Sequence, residues 1–557
     1  MKKSLFLFLM LFTAFFCFAA GQQDNDAAAE KQLAPGPFGK YETPITVEFV
    51  GTMNDSMQKN VIRYDNSFED NMWTRIYAER LGIQIEYQWI AKNQEEYNQK
   101  LNVSLASGDI PDILGIGLSN LTQFKRLYDA ELIAPLTDIY EEYISPRVKQ
   151  ELMSFLGDEA WSSVTFDGEK YGIPIVWARD GEDATCFTWI REDWLENLGL
   201  KPPTTAAELI QVAEAFTNAD PDGNGENDTY GFLLKRNLWG SVAGLEHFFN
   251  SFHAYPTIWI DDGEGGLAYG TIQPEVKETL QVLQDLFKRG IIDSEFGVRP
   301  DDKIPEEVAA ERVGIVFGPQ WISLWPLPDN VNANPEADWL PLMLVSADDK
   351  EARPQGKVGH TGVYVVNKEF QYPEVLPKMA NLYHELYIDK YEEYGNVPGE
   401  TPWEVWKFSP IGFAIPGKNQ ATQKAITEAY IKGNADDLVG EQKAMFDNVD
   451  SYLTTGNRED WGWYRIFGPG KPGEISQAGL ADYLDNNKFV IDKFVGAPTD
   501  TMTAKFTTLE SLRDEVFVKI IVGDYDIDQF DKFVSDWNNL GGADITAEVN
   551  AWYSSTK

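Results

Sequence analysis

"SFEDNMWTRIYAERLGIQIEYQWIAKNQEEYNQKLNVSLASGDIPDILGIG" (Ser67–Gly117) switches between two hydrophobic periods. Met72, Ile76 and Leu81 lie near helical spacing, and Gly82 ends that run. "IQIEYQWI" then alternates as a half-buried strand does. Tyr97, Leu101 and Leu105 form a second helical stripe, and "DIPDILGIG" is a third type of run, short and apolar. Upstream, "ITVEFVG" (Ile45–Gly51) is a β-branched run closed by glycine. The order βαβαβ predicts a parallel sheet with right-handed crossovers. Ligands of such open sheets sit beyond the carboxyl ends of the strands. Here those places are "GTMND" (Gly51–Asp55) and "GIGLSN" (Gly115–Asn120). Both offer backbone N–H groups and side-chain amides, and ordinary βα turns explain them equally well.

A second block begins near "FDGEKYGIPIVWARD" and carries its own strands and helices, among them "ATCFTWI", "TAAELIQVAEAF" and "VGIVFG" (Val313–Gly318). "GVYVVNK" (Gly362–Lys368) reads as a strand returning to the first block. The expected architecture is an α/β fold of two lobes joined by more than one crossing strand. In the tail, Leu509, Leu512, Val516 and Ile520 share one helix face. Phe530, Phe533 and Trp537 form the next stripe, with Asp526 or Asp528 as its cap, before "LGG" interrupts.

Bulk properties limit the function. A chain of 557 residues is too long for one ordinary core. With 43% hydrophobic and 13% aromatic residues it can fill two. A net charge of -41 repels nucleic acid and anionic membranes. Lys2 and Lys3 precede the apolar run "SLFLFLMLFTAFFCFAA", which turns polar at "GQQDNDAAAE". This is the pattern of a secretory signal peptide, residues 1–20, followed by a flexible lead, 21–40. Phe16 stands before Cys17 where lipoprotein processing wants a small residue, which argues against a lipid anchor. Cys17 and Cys186 are the only cysteines, so loss of the signal leaves no disulfide.

"NADPDGNGENDTYG" (Asn218–Gly231) concentrates oxygen donors. Asp220, Asp222 and Asn224 fall at positions one, three and five, Gly225 at six, Glu226 at seven and Asp228 at nine. Hard donors alternating around a glycine turn suit Ca²⁺. Gly231 stands at position twelve, where a bidentate glutamate is the usual ligand. A solvated polar turn is the alternative. Donors that converge on one centre do not flank a bond from two sides, so a catalytic pair is disfavoured.

No HExxH, GxSxG, Walker or GxGxxG motif occurs. What stands out is 17 tryptophans, several outside helical stripes. Indole faces give apolar platforms with a polar edge, on which the C–H face of a pyranose can stack. For any one of them core packing is the commoner use.

Four stretches together resemble the solute-binding proteins of ATP-binding-cassette importers, near the LipO-like and alginate-binding branches. They are "SGDIPDILGIG", the block from "YGIPIVWARD" to "ADPDGNGENDTYGF", "GIVFGPQW" and "FDKFVSDWNNLGGADITAEVNAWY". The resemblance implies a periplasmic-binding-protein-like fold with a hinge, a ligand cleft and C-terminal helices. The first lobe is expected at 41–170 with a return at about 356–415, and the second at 171–355 completed by about 416–557. It implies reversible binding of a carbohydrate, handover to an ABC permease, a monomer outside the cytoplasm, no catalysis, and structural calcium on Asp220, Asp222, Asn224, Glu226 and Asp228. Candidate cleft residues are Asn54, Asn120, Trp177, Arg179, Trp239, Trp259, Trp321, Trp325, His360, Trp403 and Trp463. Arg179 and Arg191 are candidates for a uronate carboxylate; a neutral glycan and a peptide remain open. A secreted glycoside hydrolase or polysaccharide lyase is the chief rival, and a surface adhesin the second.

Overall fold

The computed structural model describes residues 34–53, 57–58, 67–117, 121–155, 161–184, 186–397 and 403–555. The signal peptide, Cys17, Asn54 and Asn120 lie outside them.

The first lobe opens with β1 (Ile45–Thr52), α1 (Met72–Leu81), β2 (Ile83–Ala91), α2 (Gln94–Ser107), β3 (Ile113–Gly117) and α3 (Leu121–Asp129). The Asn71 side chain caps α1 by accepting from the Trp73 and Thr74 N–H groups. Gly82 closes it at φ 71°, a left-handed conformation natural to glycine. The buried face of α1 is Trp73, Tyr77 and Leu81, while Met72 and Ile76 are half-buried. The expected stripe thus holds at Leu81, while Trp73 and Tyr77 take the buried places beside Met72 and Ile76, because Trp73 stacks on Tyr383 at 4.8 Å and draws that face inward.

β1 and β2 pair in parallel as expected, with a bulge between Phe49 and Val50. β3 does not extend their ladder among the described residues. Instead the Asp112 carboxylate just before it accepts from the Glu48 N–H at 2.9 Å. After β4 (Ile173–Val176) the chain leaves for the second lobe.

That lobe contains β5 (Phe187–Arg191), α4 (Ala206–Asn218), β6 (Tyr230–Phe232), α5 (Pro274–Lys288), β7 (Val313–Gly318) and β8 (Trp339–Leu342). Its sheet has the order β8-β5-β7-β6, with β7 and β6 parallel. Every residue of β5, β6, β7 and β8 is buried, as a sheet covered on both faces requires.

The chain returns in β9 (His360–Val366), which lies antiparallel between β3 and β4. The long helix α6 (Val375–Asp389) then packs in the first-lobe core. Three helices, α7 (Lys418–Lys432), α8 (Gly440–Thr455) and α9 (Trp461–Phe467), form a small cluster of their own. The tail, α10 (Asp500–Ile521), α11 (Gln529–Trp537) and α12 (Ala543–Ser555), closes the second-lobe core through Leu509, Phe517, Phe530 and Trp537. Asp528 precedes α11 without making a side-chain cap, and Gly541 at φ 136° separates α11 from α12.

Candidate interlobe cleft and acidic loop

The crossing segments are held together at close range. The Gly181 N–H donates to the Lys357 carbonyl at 2.8 Å, and the Gly359 N–H to Asp180 Oδ1 at 2.7 Å. A Cβ on Gly356 would stand 2.6 Å from the Gly181 Cα, and one on Gly359 2.0 Å from the Ala178 oxygen. Gln355 and Gly356 pair in parallel with Val490 and Ile491, a further connection. On the other side, α3 meets α10: Arg126 donates to the Thr503 carbonyl at 2.9 Å, and Lys125 lies 3.3 Å from Asp500.

The carboxyl ends of β1 and β3 border a cavity of about 360 Å³. Phe49, Thr52, Tyr97, Gly115, Tyr364 and Pro410 are among its lining. The Tyr97 hydroxyl donates to the Gly115 carbonyl at 3.0 Å. A Cβ on Gly115 would stand 3.0 Å from the Tyr364 ring, so glycine lets that ring pack close to the strand. The Tyr364 hydroxyl accepts from the Gly412 N–H at 2.8 Å, and a Cβ on Gly412 would lie 3.7 Å from Trp177. Trp177 is half-buried and packs on Trp406, centroids 5.3 Å apart. The cavity and this tryptophan pair thus form one wall, on the first lobe.

A second tryptophan group follows β7. Trp321 and Leu324 pack on the α7–α9 cluster together with Trp463. The Ser323 hydroxyl donates to the Gly462 carbonyl at 3.1 Å, and a Cβ on Gly462 would collide with the Ser323 oxygen. Trp325 is 50% exposed beside them. The Trp321 indole hydrogen-bonds Asp183, which lies in the first crossing segment. Asp183 keeps contact with solvent while protein closes around it, and the lost hydration pushes its carboxyl up to about 6. Its neighbour Glu182 is buried and fully engaged, accepting from the Arg179 N–H at 2.7 Å, the Gly417 N–H at 3.0 Å and Gln420 at 3.1 Å.

Three of the expected cleft residues are elsewhere. Trp239 is 9% exposed, packs on Phe249 and Phe517 in the second-lobe core, and donates to Asp514 at 2.7 Å. Trp259 is 3% exposed against Tyr269 in the same core. His360 is buried on β9, 3.4 Å from the Ser163 hydroxyl, and burial pushes its imidazole down to about 4. The Trp403 backbone pairs with Val397; its side chain lies outside the described residues. Arg191 is fully buried with Asp193 and Glu311, and Arg179 pairs with Asp485 at 3.3 Å. Tyr97, Asp183 and Tyr364 were not among the cleft candidates read from sequence, and Trp406, which stands outside the helical stripes beside Trp403, was not chosen with it. The closely spaced glycines at Gly115 and Gly117 were the one local hint, since side-chain-free strand ends leave room for a ligand.

The acidic loop folds on itself. Asp220 Oδ2 accepts from the Gly225 N–H at 3.1 Å. The Asn224 amide donates to Asp222 Oδ2 at 2.8 Å and Asp228 Oδ1 at 3.3 Å, and its oxygen accepts from the Glu226 N–H at 2.6 Å. Its amide thus serves as the positive end among carboxylates. Partial burial, then Asp220 and Asp228, raise the Asp222 carboxyl above its ordinary range. The donors suit a hard cation in kind and charge. Yet among the described residues no three His, Cys, Asp or Glu side chains stand gathered around a metal position. Position twelve has another task. The Gly231 N–H donates to the Thr217 hydroxyl at 3.0 Å, and a Cβ there would stand 2.6 Å from the Ala213 oxygen of α4.

Known proteins share this organisation. The polygalacturonan/rhamnogalacturonan-binding protein YtcQ of Bacillus subtilis (strain 168) is 24% identical over 494 residues, 86% of each chain. The structure of the alginate-binding protein AlgQ2 without calcium ion superposes with TM-score 0.64 at 17% identity, covering 92% of this chain and 98% of that one. The S. pneumoniae substrate-binding protein FusA in complex with kestose gives TM-score 0.64 at 16% identity, covering 92% and 99%. These likenesses establish the α/β two-lobed fold. The family model for bacterial extracellular solute-binding proteins matches residues 73–356, and the chain belongs to that family.

Proposed function

We propose that the chain is the extracytoplasmic solute-binding component of an ABC importer and that it captures an oligosaccharide reversibly between its lobes. The observation that carries this reading is the pairing of two aromatic groups around one crossing segment. Trp177 and Trp406 lie on the first lobe, and Trp321, Trp325 and Trp463 on the second-lobe side. Such platforms receive pyranose faces from both sides only when the lobes approach, so a ligand shifts the population toward the closed state. The names of YtcQ and FusA, which bind glycans, support the ligand class. The relatives are binding proteins, and no step of bond cleavage is required of the groups described. Delivery to a permease as a monomer, export through the signal peptide without a lipid anchor, and a structural calcium in the 220–228 loop belong to the same reading. When calcium is bound, Asp220, Asp222, Asn224, Glu226 and Asp228 would hold it and tie α4 to β6.

Calorimetric titration against an oligosaccharide panel tests it. Trp325→Ala, a half-exposed site, is expected to weaken binding of a responding sugar by about tenfold, about 1–2 kcal/mol, without moving the melting temperature. Steady release of new reducing ends or unsaturated products would instead make the protein a hydrolase or lyase. A ligand response with no compaction in small-angle scattering would favour an adhesin.

A further inference from the structure

Resting on that glycan-binding reading, we propose that the cleft takes a charge-neutral oligosaccharide and rejects uronides, with an uncharged ring in the first-lobe cavity and the Asp183 carboxylate beside Trp321 enforcing the choice. Three observations converge. Among the described residues the cavity at the ends of β1 and β3 has no charged side chain in its lining, which comprises Phe49, Tyr97, Tyr364, Pro410 and small or aliphatic residues. A carboxylate placed there would lose its hydration without gaining a counter-charge.

The two arginines that would recognise a uronate are already occupied. Arg191 is sealed in the second-lobe core with Asp193 and Glu311, and Arg179 pairs with Asp485. Lys357, exposed at the crossing, faces three carboxylates, Glu246, Glu510 and Asp492. It therefore neutralises protein charge before it can recruit any from a ligand.

The third observation is Asp183 itself. It is solvent-exposed and hydrogen-bonded to the Trp321 indole. A carboxylate next to an indole face accepts strongly from sugar hydroxyls while the ring packs alongside. The same group repels a ligand carboxylate, which is specificity by exclusion.

The test is titration at neutral pH of kestose, stachyose and trigalacturonate into the wild-type protein and the Asp183→Asn variant. The expected result is that at least one neutral sugar binds about tenfold or more tighter than trigalacturonate. Asp183→Asn is expected to narrow that ratio by about tenfold. The wild-type ranking decides the selectivity even if the variant folds poorly. Trigalacturonate binding more tightly than both neutral sugars overturns the inference while leaving the glycan reading intact. A neutral preference unchanged in a well-folded Asp183→Asn overturns the role of Asp183. If no sugar binds a cooperatively melting protein, the glycan reading itself fails.

Discussion

The acidic loop and the cleft are both rich in polar groups near sheet ends, yet they are assembled in opposite ways. Asp220, Asp222, Asn224 and Asp228 belong to one turn, and their contacts are with each other. The proposed cleft draws Trp177, Asp183, Trp321, Tyr364 and Trp463 from segments far apart in the chain. A loop of the first kind can change its occupant without consulting the rest of the molecule. A cleft of the second kind exists only as long as both lobes and their crossings are in place. The contrast teaches that local donor spacing shapes a site for one ion, whereas an extended ligand needs surfaces that only tertiary contacts can bring together.

The largest expected effect breaks the loop's independence. Gly231→Glu supplies the missing position-twelve carboxylate but drives a side chain into Ala213 on α4. It is expected to destabilise the protein by about 3 kcal/mol in urea unfolding. Unchanged stability with tighter calcium binding would show that position twelve belongs to the loop after all.

Next in size is calcium itself. Adding calcium to chelator-treated protein at about 100 times its dissociation constant is expected to stabilise by about 2.7 kcal/mol. Asp222→Ala is expected to abolish that response. Sugar affinity should stay within about twofold, because distant sites add independently. A sugar affinity that collapses with chelator would merge the two regions into one coupled site.

The smallest effect concerns the crossing. Asp492 accepts from the Trp259 N–H at 3.0 Å and the Phe494 N–H at 3.1 Å, both on Oδ1, and burial pushes its carboxyl up to about 6 from 3.8. Between those values the folded state holds more protons than the unfolded one. Its contribution is therefore fully present below pH 3.8 and is lost as pH rises through about 6. Asp492→Asn keeps both bonds and removes the titration. It is expected to raise stability at neutral pH by about 1 kcal/mol and to flatten the melting-temperature fall between pH 4 and 6. A slope that survives in the variant would assign it to other groups, Asp183 first among them.

Much of the fold was legible. The parallel β1–β2 pair, the buried β7 and the return of β9 all follow from short apolar runs between turn residues. The register of α1 was not, because Tyr383, distant in sequence, selects Trp73 as its partner. Nor was the antiparallel insertion of β9 beside β3, which replaced a simple parallel ladder. Among the tryptophans, Trp239 and Trp177 look alike in sequence, each near an arginine and outside a helical stripe. The first is covered by α10 through Phe517 and Asp514, and the second remains partly open beside Gly412.

By itself the sequence determined the alternation of strand and helix and the donor order of the acidic loop, since each depends on residues within a few positions of one another. The tertiary structure alone decided which tryptophans are sealed in a core, which arginines are spent on internal partners, and where a cavity opens at the ends of β1 and β3. Burial depends on what distant segments cover, and no local pattern encodes that.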